Sequence, residues 1–92
     1  MAAINIATTA TLIKNTAQTK NAAVFVNLSD VDIYIAPRIN VTATAGADTG
    51  IRIKSGDTFA IAPQDYTKLQ NQSAWYAIHG DSGDKVLTVE IL

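Results

Sequence analysis

The sequence contains no cysteine, and this absence removes two common ways of stabilising a small domain. Neither a disulfide nor a thiolate metal site can hold the 92-residue chain together. A chain of this length forms one domain and buries roughly 60–65% of its unfolded surface, so its hydrophobic core is thin. Small β domains with thin cores often gain stability by assembling, which makes an oligomer a reasonable expectation.

Positive charge is also scarce and scattered. The chain has seven lysines and arginines against eight acidic residues, and they form no run of like charge. Binding to nucleic acid needs a basic patch, so we expect no nucleic-acid partner. No apolar run approaches the roughly 20 residues of a membrane-spanning helix, so we expect no membrane partner. The N-terminal stretch lacks the pattern of a secretory signal, and we expect a protein that is used without export.

Groups that carry catalysis are equally rare. His79 is the single histidine, and no base, nucleophile or second metal ligand accompanies it in a recognisable arrangement, so we predict a surface position at a strand end. The acidic pairs Asp30/Asp32 and Asp81/Asp84 lack the roughly six oxygen ligands and the distal glutamate of a calcium loop. No glycine-rich phosphate loop precedes a helical pattern. The sequence therefore predicts no enzyme, no cofactor and no metal.

Alternating aliphatic residues dominate what the sequence does contain. Residues 22–37, AAVFVNLSDVDIYIAP, form two alternating runs on either side of Ser29-Asp30. Successive side chains of a strand point to opposite faces, so each run has one aliphatic face, and we predict a β-hairpin. A two-residue loop would pair Val26 with Ile33, whereas a four-residue loop would offset the partners. Ser-Asp is not a preferred turn pair, so both loops stay open.

Two further hairpins follow from the same pattern. Residues 51–61 alternate around an SGD turn, where a three-residue loop keeps the apolar side chains on one face. Residues 74–92 place the runs AWYAIH and KVLTVEIL on either side of a GDSGD turn. The polar stretch between them, residues 62–73, is interpreted as a long connection.

The whole pattern predicts an all-β fold, an antiparallel β-sandwich or small barrel of about seven or eight short strands. We divide the chain into residues 1–21, a loose N-terminal arm with a first strand near residues 11–16, and residues 22–92, a single β-sandwich domain. The predicted core consists of the alternating apolar residues Val24, Val26, Ile33, Ile35, Ile51, Ile53, Phe59, Ile61, Tyr76, Ile78, Leu87 and Val89.

Trp75 and the N-terminal arm are the candidates for contact with a partner. Because Tyr76 and Ile78 are predicted to face the core, Trp75 would face away from it. In that position it covers the other face under the connection, contacts another subunit, or offers a platform on which a sugar stacks. The arm either frays or lies on a neighbouring subunit. The candidate interface residues are Ile4, Ile6, Leu12, Trp75 and His79.

Several motifs together resemble a group of small virion proteins of tailed phages and prophages. These motifs are VFVNLSDVDIYIAP, GIRIKSGDTFAI and AWYAIHGDSGDKVLTVEIL, and the resemblance covers residues 22–92. The matching residues are Asn27, Ser29, Asp30, Ile33, Tyr34, Gly50, Ile51, Gly56, Tyr76, Ala77, Ile78, Val89 and Glu90.

The resemblance implies a non-enzymatic structural protein of a phage particle, made in the host cytoplasm and located on the capsid surface. The first expectation is a capsid decoration or cement protein. It would bind the major capsid protein as a homo-oligomer, with a trimer expected because decoration proteins commonly sit at threefold positions. The alternative within the particle is a tail or head appendage, such as a fibre-base module. The alternative from another class is a carbohydrate-binding β-sandwich that uses Trp75 and the acidic loops.

Overall fold

The computed structural model describes residues 2–14, 23–61 and 74–91. These residues form strands and no helix, so none of them belongs to a helix that could cross a membrane. The predicted all-β class is confirmed. The strands are β1 (Ala2–Ile6), β2 (Thr11–Lys14), β3 (Ala23–Val26), β4 (Ile33–Ala36), β5 (Ile51–Ile53), β6 (Thr58–Ile61), β7 (Trp75–Ile78) and β8 (Lys85–Ile91).

The strands make two four-stranded antiparallel sheets that pack against each other. Sheet I has the order β1-β8-β3-β6, and sheet II has the order β2-β7-β4-β5. Only the β4–β5 connection stays within one sheet, and every other connection crosses between the sheets. This is the strand order of an eight-stranded jelly roll, in which two Greek keys form a sandwich. The predicted β-sandwich is therefore confirmed.

The three predicted hairpins are wrong, because each one joins strands of different sheets. Strand β3 pairs with β6 and β8, whereas β4 pairs with β5 and β7. The β3–β4, β5–β6 and β7–β8 connections are therefore arches that cross the core. An arch places the two apolar faces opposite each other across the sandwich, whereas a hairpin places them side by side. Alternation along each strand is satisfied by both arrangements, so it does not distinguish them.

The core lies between the two sheets and includes residues that alternation did not predict. In β3 the buried side chains are Ala23 and Phe25, and in β7 they are Trp75 and Ala77. The rings of Phe25 and Trp75 approach to a centroid distance of 6.4 Å across the core. The buried cluster consists of Ile6, Ile13, Ala23, Phe25, Ile33, Ile35, Ile53, Ile61, Trp75, Ala77, Leu87 and Val89.

The predicted core is confirmed on one set of strands and wrong on another. The confirmed positions are Ile33, Ile35, Ile53, Ile61, Leu87 and Val89, while Phe59 is partly buried against the cluster. The wrong positions are Val24, Val26, Ile51, Tyr76 and Ile78. Both faces of β3 and of β7 are apolar, so alternation does not decide which face turns inward. The aromatic rings of Phe25 and Trp75 have the largest apolar area to bury. The strand faces that carry these two rings therefore turn inward.

The N-terminal segment is part of the sandwich and not a loose arm. All five residues of β1 pair with β8, from Ala2 with Val89 to Ile6 with Lys85. Strand β2 pairs with β7 and contains a bulge between Leu12 and Lys14. The two strands are edge strands of the two sheets, so the loose arm is a wrong prediction for Ala2–Ile6. The first predicted strand is confirmed over Thr11–Lys14, and its last two residues lie outside the described part, as does the 62–73 connection.

Candidate functional site

A buried asparagine holds together the end of the sandwich where the β3–β4 and β5–β6 arches meet. The amide nitrogen of Asn27 donates to the carbonyl oxygens of Val31 and Ile53, at 2.8 Å each. Its Oδ1 accepts from the backbone N–H and the hydroxyl of Ser29, at 3.1 and 2.6 Å. Every polar group of this side chain is therefore paired, which offsets the cost of burying it.

The backbone of Asn27 joins the same two arches. Its N–H donates to the carbonyl of Asp57 at 2.9 Å, and its carbonyl accepts from the N–H of Gly56 at 2.7 Å. Gly56 has a φ of +87°, a backbone conformation that residues with a Cβ rarely adopt. Asn27, Ser29 and Gly56, three of the residues on which the resemblance to virion proteins depends, thus form a structural clamp. The sequence signal for it was present, because an asparagine at the start of a turn commonly accepts a hydrogen bond from the backbone two residues later, as in an Asx turn.

The acidic side chains around this clamp take part in ion pairs. The ammonium of Lys85 lies 3.0 Å from Oδ1 of Asp30. The hydrogen bond from Lys85 lowers the pKa of the Asp30 carboxyl below its ordinary value. Asp32 lies 3.9 Å from the guanidinium of Arg52 and accepts from the N–H of Ser55 at 3.3 Å. In the described part of the chain, no group of three or more His, Cys, Asp or Glu residues is placed to hold a metal ion.

His79 is buried at the end of β7, so its predicted surface position is wrong. Its Nδ1 accepts from the N–H of Asp81 at 3.1 Å, and its Nε2 lies 2.7 Å from the carbonyl oxygen of Gly83. A carbonyl only accepts, so the proton of the neutral ring is assigned to Nε2. The backbone N–H of His79 donates to the carbonyl of Ala7 at 3.3 Å. The ring closes the β7–β8 arch because the turn of the arch folds over it.

Burial removes most of the candidate interface residues from the surface. Trp75 is 1% exposed, and Ile6 and His79 are also buried. Trp75 therefore offers neither a subunit contact nor a platform for a sugar, because its ring faces Phe25. Ile4 is partly buried against the core, and Leu12 is 46% exposed. Of the five candidates, Leu12 alone presents a largely exposed apolar side chain.

Lys14 is a buried charged residue that sequence reasoning missed. It ends β2 at the bulge, which turns both Ile13 and Lys14 inward. Desolvation by burial lowers the pKa of its ammonium. The bulge is the reason for the miss, because strict alternation would place one of two neighbouring residues outside.

The outer face of sheet I is almost free of charge. The register aligns its outward side chains in rows across all four strands. They are Ala3, Asn5, Val24, Val26, Thr58, Ala60, Val86, Thr88 and Glu90. Glu90 is the single charged residue among them, and Val86 is 44% exposed. The other side chains of this face are alanine, valine, threonine and one asparagine, so they are short and uncharged.

The outer face of sheet II carries larger side chains and is partly covered. Its outward residues are Leu12, Tyr34, Ala36, Arg52, Tyr76 and Ile78. The segment of residues 37–50 folds back over this face, since Ala36 is buried and a Cβ placed on Gly80 would lie 3.4 Å from the Cβ of Ala43. The two outer faces therefore differ, and the one on sheet I is the more open.

Two cavities open along sheet II. The first, of about 210 Å³, is here named the Arg38 cavity, and its walls include Ile35, Ala36, Arg38, Thr49, Ile51 and Trp75. The second, of about 240 Å³, is shallower and is here named the Tyr34 cleft; its walls include Asp32, Tyr34, Ala43 and Asp81. The first has mainly apolar walls with one cation, and the second combines one aromatic ring with two carboxyl groups.

The jelly roll by itself leaves the function open. Viral capsid domains, lectins and cupins all use this architecture, and a fold does not imply a function. No protein-family model matches the chain, and neither a curated protein nor a solved structure matches it. What the protein does is therefore inferred from its own residues and surfaces.

Proposed function

We propose that the protein is a non-enzymatic structural protein of a tailed-phage particle, a decoration protein that binds the outer surface of the capsid. The resemblance of residues 22–92 to small virion proteins supports this, and the jelly roll is an architecture that viral capsid domains use. The observation that carries the proposal is the outer face of sheet I, where Glu90 is the single charge. This face is proposed to lie against the shell.

The chemistry of the face suits a large protein partner. Charged residues are depleted at interface centres because removing them from water is costly. Valine and threonine are stiff about χ1, and alanine has no rotamers to lose, so ordering these side chains costs little entropy. The outer face of sheet II is the weaker choice, since residues 37–50 already occupy part of it.

Assembly as a homo-oligomer, with a trimer as the expected state, belongs to the same proposal. In the part of the chain that the structure describes, the edge strand β1 of sheet I pairs with β8 on one side only. The other side of such a strand presents unpaired N–H and C=O groups that a strand of a neighbouring subunit can pair with. The major capsid protein would then lie beneath the outer face of sheet I, and a neighbouring copy would lie beside β1.

Single lysine substitutions test which face binds. Val86→Lys and Ala60→Lys each place a charge on the outer face of sheet I, and each should abolish co-sedimentation with empty shells of the corresponding major capsid protein. Ile39→Lys is the matched control, because Ile39 is 67% exposed in the segment of residues 37–50, which lies on the side of sheet II. It should bind like the unmodified protein. Thermal unfolding of each free variant verifies the fold, and exposed changes of this kind usually cost under about 1 kcal/mol.

Two outcomes would contradict the proposal in different ways. If Val86→Lys and Ala60→Lys both co-sediment fully, the outer face of sheet I is not the contact surface. If the unmodified protein fails to bind the shells, a tail or head appendage becomes the better proposal for the same particle.

The second candidate function is carbohydrate binding, and the Tyr34 cleft favours it. Aromatic rings and carboxyl groups are suited to stacking on sugar rings and to hydrogen bonding with hydroxyls, and the cleft combines Tyr34 with Asp32 and Asp81. Binding to a glycan array that disappears in Tyr34→Leu and persists in Tyr76→Leu would support this candidate. Absence of any glycan signal for the unmodified protein would remove it.

A further inference from the structure

We infer that the Arg38 cavity is a binding site for a carboxylate that carries one small apolar group. The inference is independent of the proposed function, because it concerns sheet II and a ligand of different chemistry. It rests on the composition of the walls, on the state of the arginine and on the size of the space.

The walls of the cavity are apolar on one side and cationic on the other. Ile35, Ala36 and Ile51 come from the neighbouring strands β4 and β5, and Trp75 contributes from β7. Arg38 stands just after the end of β4 and completes the wall. A ligand that fills this space contacts hydrocarbon with its body and a guanidinium with its polar end.

The guanidinium of Arg38 retains donors for a ligand. Its Nη2 donates to the carbonyl oxygen of Thr49 at 3.3 Å. Arg38 belongs to neither of the ion pairs that join Lys85 to Asp30 and Arg52 to Asp32. A guanidinium has five N–H donors, and it binds a carboxylate through two parallel hydrogen bonds. The charge of Arg38 is thus uncompensated within the described structure, at the wall of a cavity that holds no carboxyl group.

The backbone around the cavity is held in place by close packing. A Cβ on Gly50 would lie 2.6 Å from Cγ2 of Val41 and 2.8 Å from the carbonyl oxygen of Ile35. Glycine therefore allows the start of β5 to approach β4 closely, and this approach holds Thr49 and its carbonyl beside Arg38. The site is preorganised, since its donors and walls belong to strands and to a packed segment.

The volume limits the ligand to a fragment. Typical pockets for drug-sized molecules measure about 300–1,000 Å³, and a cavity of about 150 Å³ suffices for benzene. At about 210 Å³ the Arg38 cavity accommodates a phenyl ring or a leucine side chain with an attached carboxylate. Two sources share this chemistry, namely a free aryl or branched-chain acid and the carboxyl terminus of a peptide that ends in an apolar residue.

Titration with matched acids and amides tests the site. Phenylacetate is compared with phenylacetamide, and an acetylated tetrapeptide ending in leucine is compared with the same peptide as its C-terminal amide. Amide ¹⁵N shifts of Ile35, Ala36, Arg38 and residues 49–51 locate the binding. The emission of Trp75, the single tryptophan, gives the affinity. The carboxylate should bind at least about tenfold more tightly than the amide, because a charge-assisted hydrogen bond to arginine is replaced by a neutral one.

Two arginine variants show whether the charge at the cavity is responsible. Arg38→Gln should remove the preference for carboxylate over amide. Arg52→Gln removes one positive charge from β5 outside the cavity and should leave the preference unchanged. Arg38→Lys keeps the charge without the planar fork, so a reduced preference should remain, and this variant covers the case in which glutamine disturbs the segment of residues 37–50.

The outcomes separate support from refutation. Stronger binding of the free acid supports a small-molecule source, and stronger binding of the peptide supports a carboxyl terminus. Equal affinity of acid and amide, shift changes that map elsewhere, or a preference that survives in Arg38→Gln would each overturn the site. None of these results depends on shell binding.

Discussion

At the scale of single residues, the side chains that matter most for the fold are polar ones in buried positions. Asn27 pairs with both arches at one end of the sandwich, and His79 closes the β7–β8 arch with its two ring nitrogens. Each satisfies backbone groups that a crossing connection leaves without a sheet partner. A buried carbonyl without a donor costs about 1–3 kcal/mol, so these side chains stabilise the arches by pairing such groups.

Asn27→Asp tests the clamp at nearly constant shape. A carboxylate cannot donate to the carbonyls of Val31 and Ile53, and it buries a charge, so the free energy of unfolding should fall by roughly 2–4 kcal/mol. Asn5→Asp makes the same chemical change on the exposed face of β1 and should cost less than about 0.5 kcal/mol. Urea unfolding of the three proteins measures the difference. Equal stability of the two variants would contradict the role of Asn27.

Lys14 makes the stability depend on pH in a predictable direction. Burial lowers its pKa in the folded state, so between the lowered and the ordinary value the unfolded chain binds more protons than the folded one. The free energy of unfolding therefore increases as the pH rises through that range. The free energy of unfolding of the unmodified protein minus that of Lys14→Met should therefore increase from neutral pH to about pH 10.

The matched control for this pH dependence is Lys54→Met. Lys54 is exposed at the end of β5, so this variant shows how much of the measured change comes from the loss of a surface lysine. A level difference for Lys14→Met would show that its ammonium is solvated in the folded protein.

At the scale of the element, β1 is the strand whose role differs most from its sequence pattern. Residues 2–6 alternate weakly and are rich in alanine, which suggests a fraying terminus. In the sandwich this strand pairs with β8 along its whole length, and it inserts Ile6 into the core. A long-range partner supplies the hydrogen bonds and the burial that the segment lacks alone.

Hydrogen exchange and one substitution test the strand in the free protein. The β1 amides bonded to β8 should be protected to a similar degree as the central amides of β8, because one ladder protects both. Ile6→Ala should destabilise the protein by about 2–5 kcal/mol, while Asn5→Ala on the exposed side of the same strand should cost less than about 0.5 kcal/mol. Fast exchange of all β1 amides would show that residues 2–6 form a loose arm in the free protein.

At the scale of the whole molecule, the crossing connections decide which surfaces the protein presents. A chain of hairpins would have placed β3 beside β4, whereas the jelly roll places β3 between β8 and β6. This arrangement assembles the nearly uncharged outer face of sheet I from strands that are far apart in sequence. It also brings Arg38, Ile51 and Trp75 to one cavity. The proposed contact with a shell and the proposed carboxylate site both exist only at this scale.

The amino-acid sequence alone determined the fold class, the approximate positions of most strands and the inward residues of β4 and β8. In those strands one face is clearly more apolar than the other, and a period of two is a property of the single strand. The tertiary structure alone decided the strand partners, the inward faces of β3 and β7, and the burial of Asn27, His79 and Trp75. The choice of strand partners and inward faces depends on the free energy of both packed sheets together. The pattern of a single strand therefore does not specify it.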